Sequence, residues 1–247
     1  MLDRFAFTAM TGAKHAMGQL ANTTNNLANA QTPGFREMLA SFRAVPVRGA
    51  SADSRAFVVD STPGSNFTEG ALVVSEDPFD VALVGGGFFS VRRQDGTEAY
   101  TRAGKMVLGA DGVLRATSGN AFVNADGGDL EVPESVKNIV ITPDGVVRGN
   151  VPGKEPVYLG RMKLVDVNPR ELDRGLDGLF EYSGFPLEAS DKVRVRQGAY
   201  EMSNVNVAEA MVDMIEQNRM FDLNLRLVQL AEQNARSAGA LISLSRV

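Results

Sequence analysis

The hydrophobic pattern of this chain changes period twice, and this change limits its fold more than any other feature. Near the N-terminus, apolar residues recur at alternating steps of three and four, which is typical of a helix with a heptad seam. The seam contains Met10, Ala13, Met17, Leu20, Thr24 and Leu27. We expect the helix to cover residues 1 to about 30 and to stop at Thr32-Pro33-Gly34-Phe35, because Pro33 disfavours helix at Thr32 and Gly34 can adopt a positive φ.

The middle of the chain has short β-type runs separated by turns. The clearest predicted strands are Phe79–Val84, Phe88–Arg92, Met106–Leu108, Val113–Arg115, Ile139–Ile141, Val146–Arg148, Arg161–Val167 and Lys192–Arg196. Asp-Gly pairs at residues 95–96, 111–112 and 144–145 favour tight turns, so the runs around them are expected to form antiparallel hairpins. The sequence therefore predicts a β-rich domain over residues 71–202. Residues 36–70 show little periodicity and are predicted to be an extended connector.

The hydrophobic pattern returns to helical spacing from Asn206 to about residue 244. Asn206, followed by Glu209 three residues later, is a variant of the capping box that begins a helix. At about 1.5 Å per residue, this helix would be roughly 57 Å long. It carries two apolar stripes. The first stripe contains Met211, Met214, Phe221, Leu225 and Val228, and the second contains Met220, Leu223, Leu227 and Leu230.

These patterns predict an α+β fold in which long N- and C-terminal helices pair as a coiled-coil-like helical domain beside a central, mostly-β domain. The helical domain would consist of residues 1–35 and 203–247. Pairing the two helices covers one stripe, and the other stripe then requires a neighbouring subunit. The predicted assembly interface contains Met10, Met17, Leu20, Leu27, Met211, Met214, Phe221, Leu223, Leu225, Leu227, Val228 and Leu230. The alternative is a stable monomer whose helices fold back as a hairpin, leaving the β domain to bind a partner.

The residue inventory predicts no catalytic, cofactor or metal site. The chain has no Cys and only one His, His15, so Cys-His pairs and His-rich metal sites are excluded. A hydrolase using a carboxylate pair, such as Asp77 with Asp80 or Asp126 with Asp129, stays a weak alternative because acidic chains contain such pairs by chance. The net charge of -5 gives no general attraction to nucleic acid. We expect neither membrane insertion nor a cleaved signal peptide, because the sequence has neither a long apolar run nor a signal-peptide pattern.

Three motifs, taken together, resemble the flagellar axial proteins that build the rod and hook. The N-terminal motif is Asn25-Asn26-Leu27-Ala28-Asn29 followed by Thr32-Pro33-Gly34-Phe35, and the C-terminal motif is Ser203-Asn204-Val205-Asn206. Between them, the β-domain pattern of the family resembles Asp80-Val81-Ala82-Leu83, Gly87-Phe88-Phe89, Tyr100-Thr101-Arg102-Ala103-Gly104 and Asp111-Gly112. The motifs occur in the family's order over residues 5 to 245. The family-motif residues carried over are Asn25, Asn26, Leu27, Asn29, Pro33, Gly34, Phe35, Ser203, Asn204 and Asn206.

The resemblance implies a non-enzymatic structural subunit of the bacterial flagellar basal body. Such a subunit polymerises helically through its terminal helices into the hollow drive shaft used for motility. The Thr-Pro-Gly-Phe-Arg form of the first motif ranks a proximal rod subunit ahead of a distal one, and the chain is too short for a typical hook protein. The implied partners are copies of itself, other rod proteins and the flagellar type III export apparatus. The implied location is the periplasmic rod, reached without cleavage of a signal peptide.

Overall fold

The computed structural model describes residues 2–46, 56–136, 138–153 and 155–244, and its chain divides into two units. The helical unit contains helix α1 (Leu2–Ala28), strands β1 (Met38–Pro46) and β2 (Ala56–Ser65), and helix α2 (Val207–Leu244). The β unit consists of residues 29–37 and 65–205. Both helices are present where the periodicity predicts them. No helix in the described ranges is apolar over a length that would cross a bilayer.

The segment predicted to be a connector contains β1 and β2, which pair as a two-stranded sheet. Residues 47–55, in the middle of that prediction, lie outside the described residues, as do residue 1 and residues 245–247 of the predicted helical domain. The role of residues 36–70 as a connector therefore stays a prediction.

The prediction that the two long helices pair as a coiled coil is wrong. The fold is α+β, with one N-terminal and one C-terminal helix around a large β-rich middle. A coiled coil buries large apolar side chains at its a and d positions. On α1, however, the seam residues Met10 and Met17 are exposed, and the buried positions are mostly small, namely Ala9, Ala13, Ala16, Thr23 and Asn26. Among the α2 side chains that the structure describes, over residues 207–237, the buried ones are Ala210 and Ala231, and the half-buried row between them includes the polar Gln217 and Asn224.

The β unit is built from short antiparallel strands. Its strands are β3 (Leu72–Val74), β4 (Val81–Val84), β5 (Phe88–Arg92), β6 (Glu98–Thr101), β7 (Met106–Leu108), β8 (Leu114–Ala116), β9 (Ala121–Phe122), β10 (Asn138–Ile141), β11 (Val146–Asn150), β12 (Val157–Arg161), β13 (Leu164–Val165), β14 (Leu172–Arg174), β15 (Phe180–Tyr182), β16 (Arg194–Gln197) and β17 (Ala199–Glu201). The largest sheet has the order β14-β15-β6-β5-β9-β8-β7, with β13 also paired to β5. A second sheet has the order β10-β11-β12, and the pairs β16-β4 and β17-β3 complete the unit.

The hairpins predicted from Asp-Gly turns are confirmed. β5 pairs with β6, β7 with β8, and β10 with β11, all antiparallel. The glycines of the three turns, Gly96, Gly112 and Gly145, have φ values of 86°, 78° and 82°. A positive φ is accessible to Gly at little cost, so these residues set the turns that bring the strands together.

Two hydrophobic clusters form the core of the β unit. The larger one joins the long sheet to the β10-β11-β12 sheet through residues such as Phe89, Phe122, Leu130, Val147 and Leu164. The smaller one contains Phe88, Tyr100, Val165, Leu172 and Phe180. Phe88 and Phe89 point to different clusters because adjacent strand residues face opposite sides of a sheet. The Gly85-Gly86-Gly87 turn before them therefore leads into a two-sided strand.

Candidate functional site

The N-terminal motif begins at a buried amide near the end of α1. Asn26 accepts a hydrogen bond from the backbone N–H of Met38 at 2.8 Å and donates one to the Met38 carbonyl at 2.9 Å. An Asn side chain can donate and accept at once, so Asn26 satisfies both backbone groups of the first residue of β1. Its neighbour Asn25 is exposed, and Leu27 and Asn29 are half-buried. Of the Asn25-Asn26 pair, only Asn26 is buried.

The turn after α1 has the geometry that the sequence predicts. The Phe35 N–H donates to the Thr32 carbonyl at 3.3 Å, and Gly34 has a φ of 69°. Pro33 and Gly34 therefore occupy the central positions of a turn whose third residue needs a positive φ. A side chain is also excluded at Gly34, because a Cβ there would lie 2.2 Å from the backbone nitrogen of Ala103. The turn thus rests directly on the backbone that follows β6.

A buried ion network lies beside this turn. One carboxylate oxygen of Glu201 is 2.7 Å from Nη1 of Arg36, and the other is 2.8 Å from Nη2 of Arg102. Glu201, Arg36 and Arg102 are 1%, 2% and 3% exposed. The Glu201 carboxylate also accepts a hydrogen bond from the Gly70 N–H at 2.7 Å. We call Arg36, Arg102 and Glu201 the junction network, because they join residues next to both family motifs.

The junction network places two positive charges against one negative charge, and backbone oxygens complete it. Arg36 Nη1 donates to the Thr68 carbonyl at 2.7 Å, while Arg102 Nη1 donates to the Gly85 and Gly87 carbonyls at 2.8 and 2.9 Å. Burial lowers the pKa of the Arg36 guanidinium from its ordinary value; Glu201 opposes this effect and Arg102 adds to it. Nε of Arg36 has no hydrogen-bond partner among the described residues. The Glu201 carboxylate therefore compensates the burial of the Arg36 charge.

Asn204 of the C-terminal motif fixes the same segment from the other side. Its Oδ1 accepts from the Glu37 N–H at 2.7 Å, and its Nδ2 donates to the carbonyls of Asn66 and Thr68 at 2.8 and 3.0 Å. The backbone of residues 29–37 is bonded to the same late part of the chain, since the Gly34 N–H donates to the Glu201 carbonyl at 2.8 Å. Within the β unit, Gly34 and Glu37 are therefore bonded directly to Glu201 and Asn204, although the two segments are distant in sequence.

Two further contacts complete the motifs. The Arg174 guanidinium lies over the ring of Phe35, with its carbon 4.4 Å from the ring centroid, and donates to the Arg36 carbonyl. Ser203 is buried, and its hydroxyl accepts from the Val205 N–H at 3.3 Å. Asn206 then caps α2, because its Oδ1 accepts from the N–H groups of Ala208 and Glu209 at 3.1 and 3.4 Å. The predicted N-cap is confirmed.

The predicted assembly residues divide by exposure. The second stripe of α2 (Met220, Leu223, Leu227 and Leu230) is exposed throughout. The first stripe is partly covered: Met214, Phe221 and Val228 are half-buried, while Met211 and Leu225 are exposed. On α1, Leu20 and Leu27 are half-buried, whereas Met10 and Met17 are exposed. Of the two stripes of α2, the second is therefore the one that is exposed along its whole length.

Sequence reasoning missed Glu201, although a signal for it was present. Strand β17 alternates, with Ala199 and Glu201 buried and Tyr200 half-buried between them. Period-two alternation places Glu201 on the same face as Ala199, and an acidic residue on a buried face requires a cationic partner. The described residues contain no group of His, Asp and Glu arranged to hold a metal ion.

The motifs, their geometry and the family models define the class of this protein as a flagellar axial protein. A model described as "Flagellar hook protein FlgE/F/G D1 domain" matches residues 82–149, and one described as "Flagellar basal body rod FlgEFG protein C-terminal" matches residues 196–241. The second match includes Glu201, Asn204 and the start of α2.

Relatives over nearly the whole chain narrow the class. The chain is 39% identical to the flagellar basal-body rod protein FlgF of Salmonella typhimurium, over 99% of this chain and 100% of that protein, and 38% identical to FlgF of Escherichia coli K12 with the same coverage. It is 32% identical to the flagellar basal-body rod protein FlgG of Buchnera aphidicola from Acyrthosiphon pisum, over 85% of this chain and 88% of that protein. The chain belongs to the family of flagellar basal-body rod proteins, and it is a structural subunit of the rod. The resemblance indicated by the sequence motifs is confirmed.

Proposed function

We propose that this chain is the FlgF-type subunit of the proximal rod and that it polymerises helically through α1 and α2 into the hollow drive shaft. The observation that carries the proposal is the exposed second stripe of α2. Four large apolar side chains at helical spacing are open to solvent in the single chain. Transfer of apolar surface out of water contributes about 25 cal/mol per Å², so a neighbouring subunit that covers this stripe would stabilise the assembly.

The interface we propose contains the half-buried and exposed apolar residues of both helices. On α1 it uses Met10, Met17, Leu20 and Leu27, and on α2 both stripes. A helical stack requires contacts between two different patches, since such heterologous contacts generate filaments, whereas isologous contacts close into dimers. Two stripes on one helix supply two such patches.

The proposed interface also assigns a role to each segment of the chain. We propose that residues 1–35 and 203–247 form the assembly domain, that residues 36–70 connect it to the remainder, and that residues 71–202 form an outer domain. The amides of the family motifs would then keep their positions in every subunit, because Asn26 and Asn204 bind mainly backbone groups. In this role the motifs position the interface and do not form it.

A distal rod subunit of the FlgG type is the second candidate. The observation that favours it is the 32% identity to a FlgG protein over most of both chains. The identities of 39% and 38% to two FlgF proteins over nearly the whole chain favour the proximal assignment.

The remaining parts of the proposal concern how the subunit reaches the rod and what it contacts. We propose export through the flagellar type III apparatus without a cleaved signal, and a final position in the periplasmic part of the rod. The proposed partners are copies of the chain and other rod proteins, with no nucleic acid, lipid insertion, cofactor or enzymatic activity. The relatives named above are all described as basal-body rod proteins, which supports this assignment.

The interface can be tested with single charges on α2. Leu225→Asp or Leu227→Asp would place a carboxylate in an apolar contact, which costs on the order of several kcal/mol when the charge is unpaired. We expect loss of incorporation into isolated basal bodies and loss of motility. Leu225 and Leu227 are 40% and 39% exposed, so the unassembled chain should fold normally.

A matched control adds the same charge elsewhere on α2. Gln229 is exposed and belongs to neither apolar stripe, so Gln229→Glu should assemble like the natural chain. Normal incorporation of both aspartate variants would contradict the proposed interface. Imaging of isolated basal bodies with this chain labelled then separates the two rod positions: a label confined to the distal segment would exclude the proximal assignment.

A further inference from the structure

The junction network connects three segments of the β unit that are far apart in sequence. Glu201 contacts Arg36 in the segment after α1, the Gly70 N–H in the next segment, and Arg102 after β6. We propose that this network is a closing lock: it forms after the strands have paired, and it ties residues 29–37 to the sheet in the last step of folding of the β unit.

Sequence separation places the local hairpins before the distant contacts, which are those of the network and the pairings of β17 with β3 and of β16 with β4. The contact between Arg102 and Glu201 closes 99 residues, the one between Gly70 and Glu201 closes 131, and the one between Glu37 and Asn204 closes 167. The hairpins of the unit instead close over a few residues each. Because loop closure must precede the gain from a distant contact, local hairpins form before contacts of this length.

The contacts of residues 29–37 also indicate that this segment docks late in folding. This segment contains turns and irregular backbone and no strand. Its backbone bonds run to three separate parts of the unit. Gly34 donates to the Glu201 carbonyl, and Asn204 bonds both the Glu37 N–H and the Phe35 carbonyl; the Glu37 carbonyl accepts from the Asn66 N–H, and the Arg36 carbonyl accepts from Arg174. The surface that the segment binds is therefore complete only when these three parts have come together.

The three charges of the junction network also indicate that residues 29–37 dock after the rest of the β unit. Arg102 is held by Glu201 and by the carbonyls of Gly85 and Gly87, so these two charges can pair without the N-terminal segment. Arg36 stays in water until it reaches Glu201, because burial of a lone guanidinium is unfavourable. Docking of residues 29–37 is thus the step that needs both ends of the unit.

Folding kinetics of the full-length chain test this order. The chain has no Trp, and its four tyrosines are Tyr100, Tyr158, Tyr182 and Tyr200, so tyrosine fluorescence reports on the β unit. Arg36→Gln removes the last contact but keeps the Glu201–Arg102 pair. We expect unfolding to accelerate by roughly tenfold or more while refolding changes by less than about twofold, because a contact absent from the transition state affects unfolding alone.

Amide exchange gives a second readout, with a matched control. In Arg36→Gln, the amides of Gly34, Phe35 and Glu37 should exchange faster while those of β5 and β6 keep their protection. Lys163→Gln removes a cation from another ion pair, that of the buried Lys163 with the half-buried Glu98 at 2.8 Å, and should leave residues 29–37 protected.

Two outcomes overturn the proposal. One is a refolding rate that falls in proportion to the lost stability, which would place the network in the folding nucleus. The other is unchanged exchange of residues 29–37 in Arg36→Gln. If this variant does not fold, Asn204→Ala removes the tie to Glu37 and leaves the three charges in place, and the same two readouts then decide.

Discussion

At the scale of single residues, the family motifs act through backbone contacts. Asn26 bonds both backbone groups of Met38, Asn204 bonds the Glu37 N–H, and Gly34 lies where a side chain would meet the backbone of Ala103. The sequence predicts the turn and the N-cap, because both depend on local residue chemistry. It does not predict the partners of Asn26, Asn204 or Glu201, since these contacts form only in the folded chain.

Gly34→Ala should destabilise the β unit much more than an alanine at another glycine with positive φ. Gly96 has a φ of 86° and open space around its Cα, so Gly96→Ala should cost only the backbone strain, about 1 kcal/mol. Gly34→Ala adds an overlap with backbone atoms that cannot move aside, and we expect about 3 kcal/mol or more. Urea unfolding followed by tyrosine fluorescence measures both; equal losses would contradict the close approach at Ala103.

Tyr100 should make the β unit sensitive to alkali. Burial raises the pKa of Tyr100 to about 12 from 10.0, although its hydroxyl oxygen accepts from the Leu187 N–H, which acts in the opposite direction. The folded state therefore holds this proton more tightly than the unfolded chain does. The contribution of this proton to the free energy of unfolding is fully present below pH 10 and is lost as the pH rises through about 12.

The measurement is the free energy of unfolding at several pH values for the natural chain and Tyr100→Phe. We expect the variant to be less stable at neutral pH and to lose less stability over the alkaline range, so that the two curves converge. Tyr158 is exposed, and Tyr158→Phe should leave the shape of the curve unchanged. Parallel curves for the natural chain and Tyr100→Phe would show that the Tyr100 proton does not contribute to the pH dependence of stability.

At the scale of elements, the sequence predicted the elements that depend on neighbouring residues, and it did not predict the packing that depends on distant ones. The Asp-Gly hairpins and both helices lie where the periodicity places them, because turn chemistry and amphipathic spacing act over a few residues. Short strands such as β9, β14 and β15 were missed, since two or three residues cannot establish a period. The coiled-coil prediction was wrong for a different reason. Its seam relied on large residues such as Met10 and Met17, which are exposed, whereas α1 buries mainly small residues.

Two glycines on α1 provide a test of that burial. A Cβ at Gly18 would have no atom within 4 Å, whereas a Cβ at Gly12 would lie 2.6 Å from Oδ1 of Asn224. Gly18→Ala should stabilise the helical unit by up to about 1 kcal/mol through helix propensity alone. At Gly12→Ala this gain should be cancelled, because Asn224 must shift and weaken its 2.8 Å bond to the Met220 carbonyl. Denaturation followed by circular dichroism measures the stability of both variants. Equal stabilisation by Gly12→Ala and Gly18→Ala would contradict the close approach of Asn224 to Gly12.

At the scale of the whole molecule, the two units differ in how they are stabilised. The β unit contains two clusters of large apolar and aromatic residues and the junction network. Among the side chains described in the helical unit, the buried ones are mostly alanines, and the larger apolar residues of α2 are exposed or half-buried. Burial stabilises in proportion to the apolar area removed from water, so the helical unit gains less from its own chain. In the proposed rod, neighbouring subunits would complete this burial.

The unassembled chain should therefore unfold in two steps. Circular dichroism, dominated by α1 and α2, is expected to change at lower denaturant concentration than tyrosine fluorescence, which reports on the β unit. Assembly should raise the first transition and bring it toward the second, because a neighbour that binds only the folded helices stabilises them by mass action. Leu227→Asp should leave both transitions of the unassembled chain in place and abolish the shift on assembly. A single coincident transition in the unassembled chain would mean that its helices gain enough stability without a neighbour, and the need for assembly would then have to come from another surface.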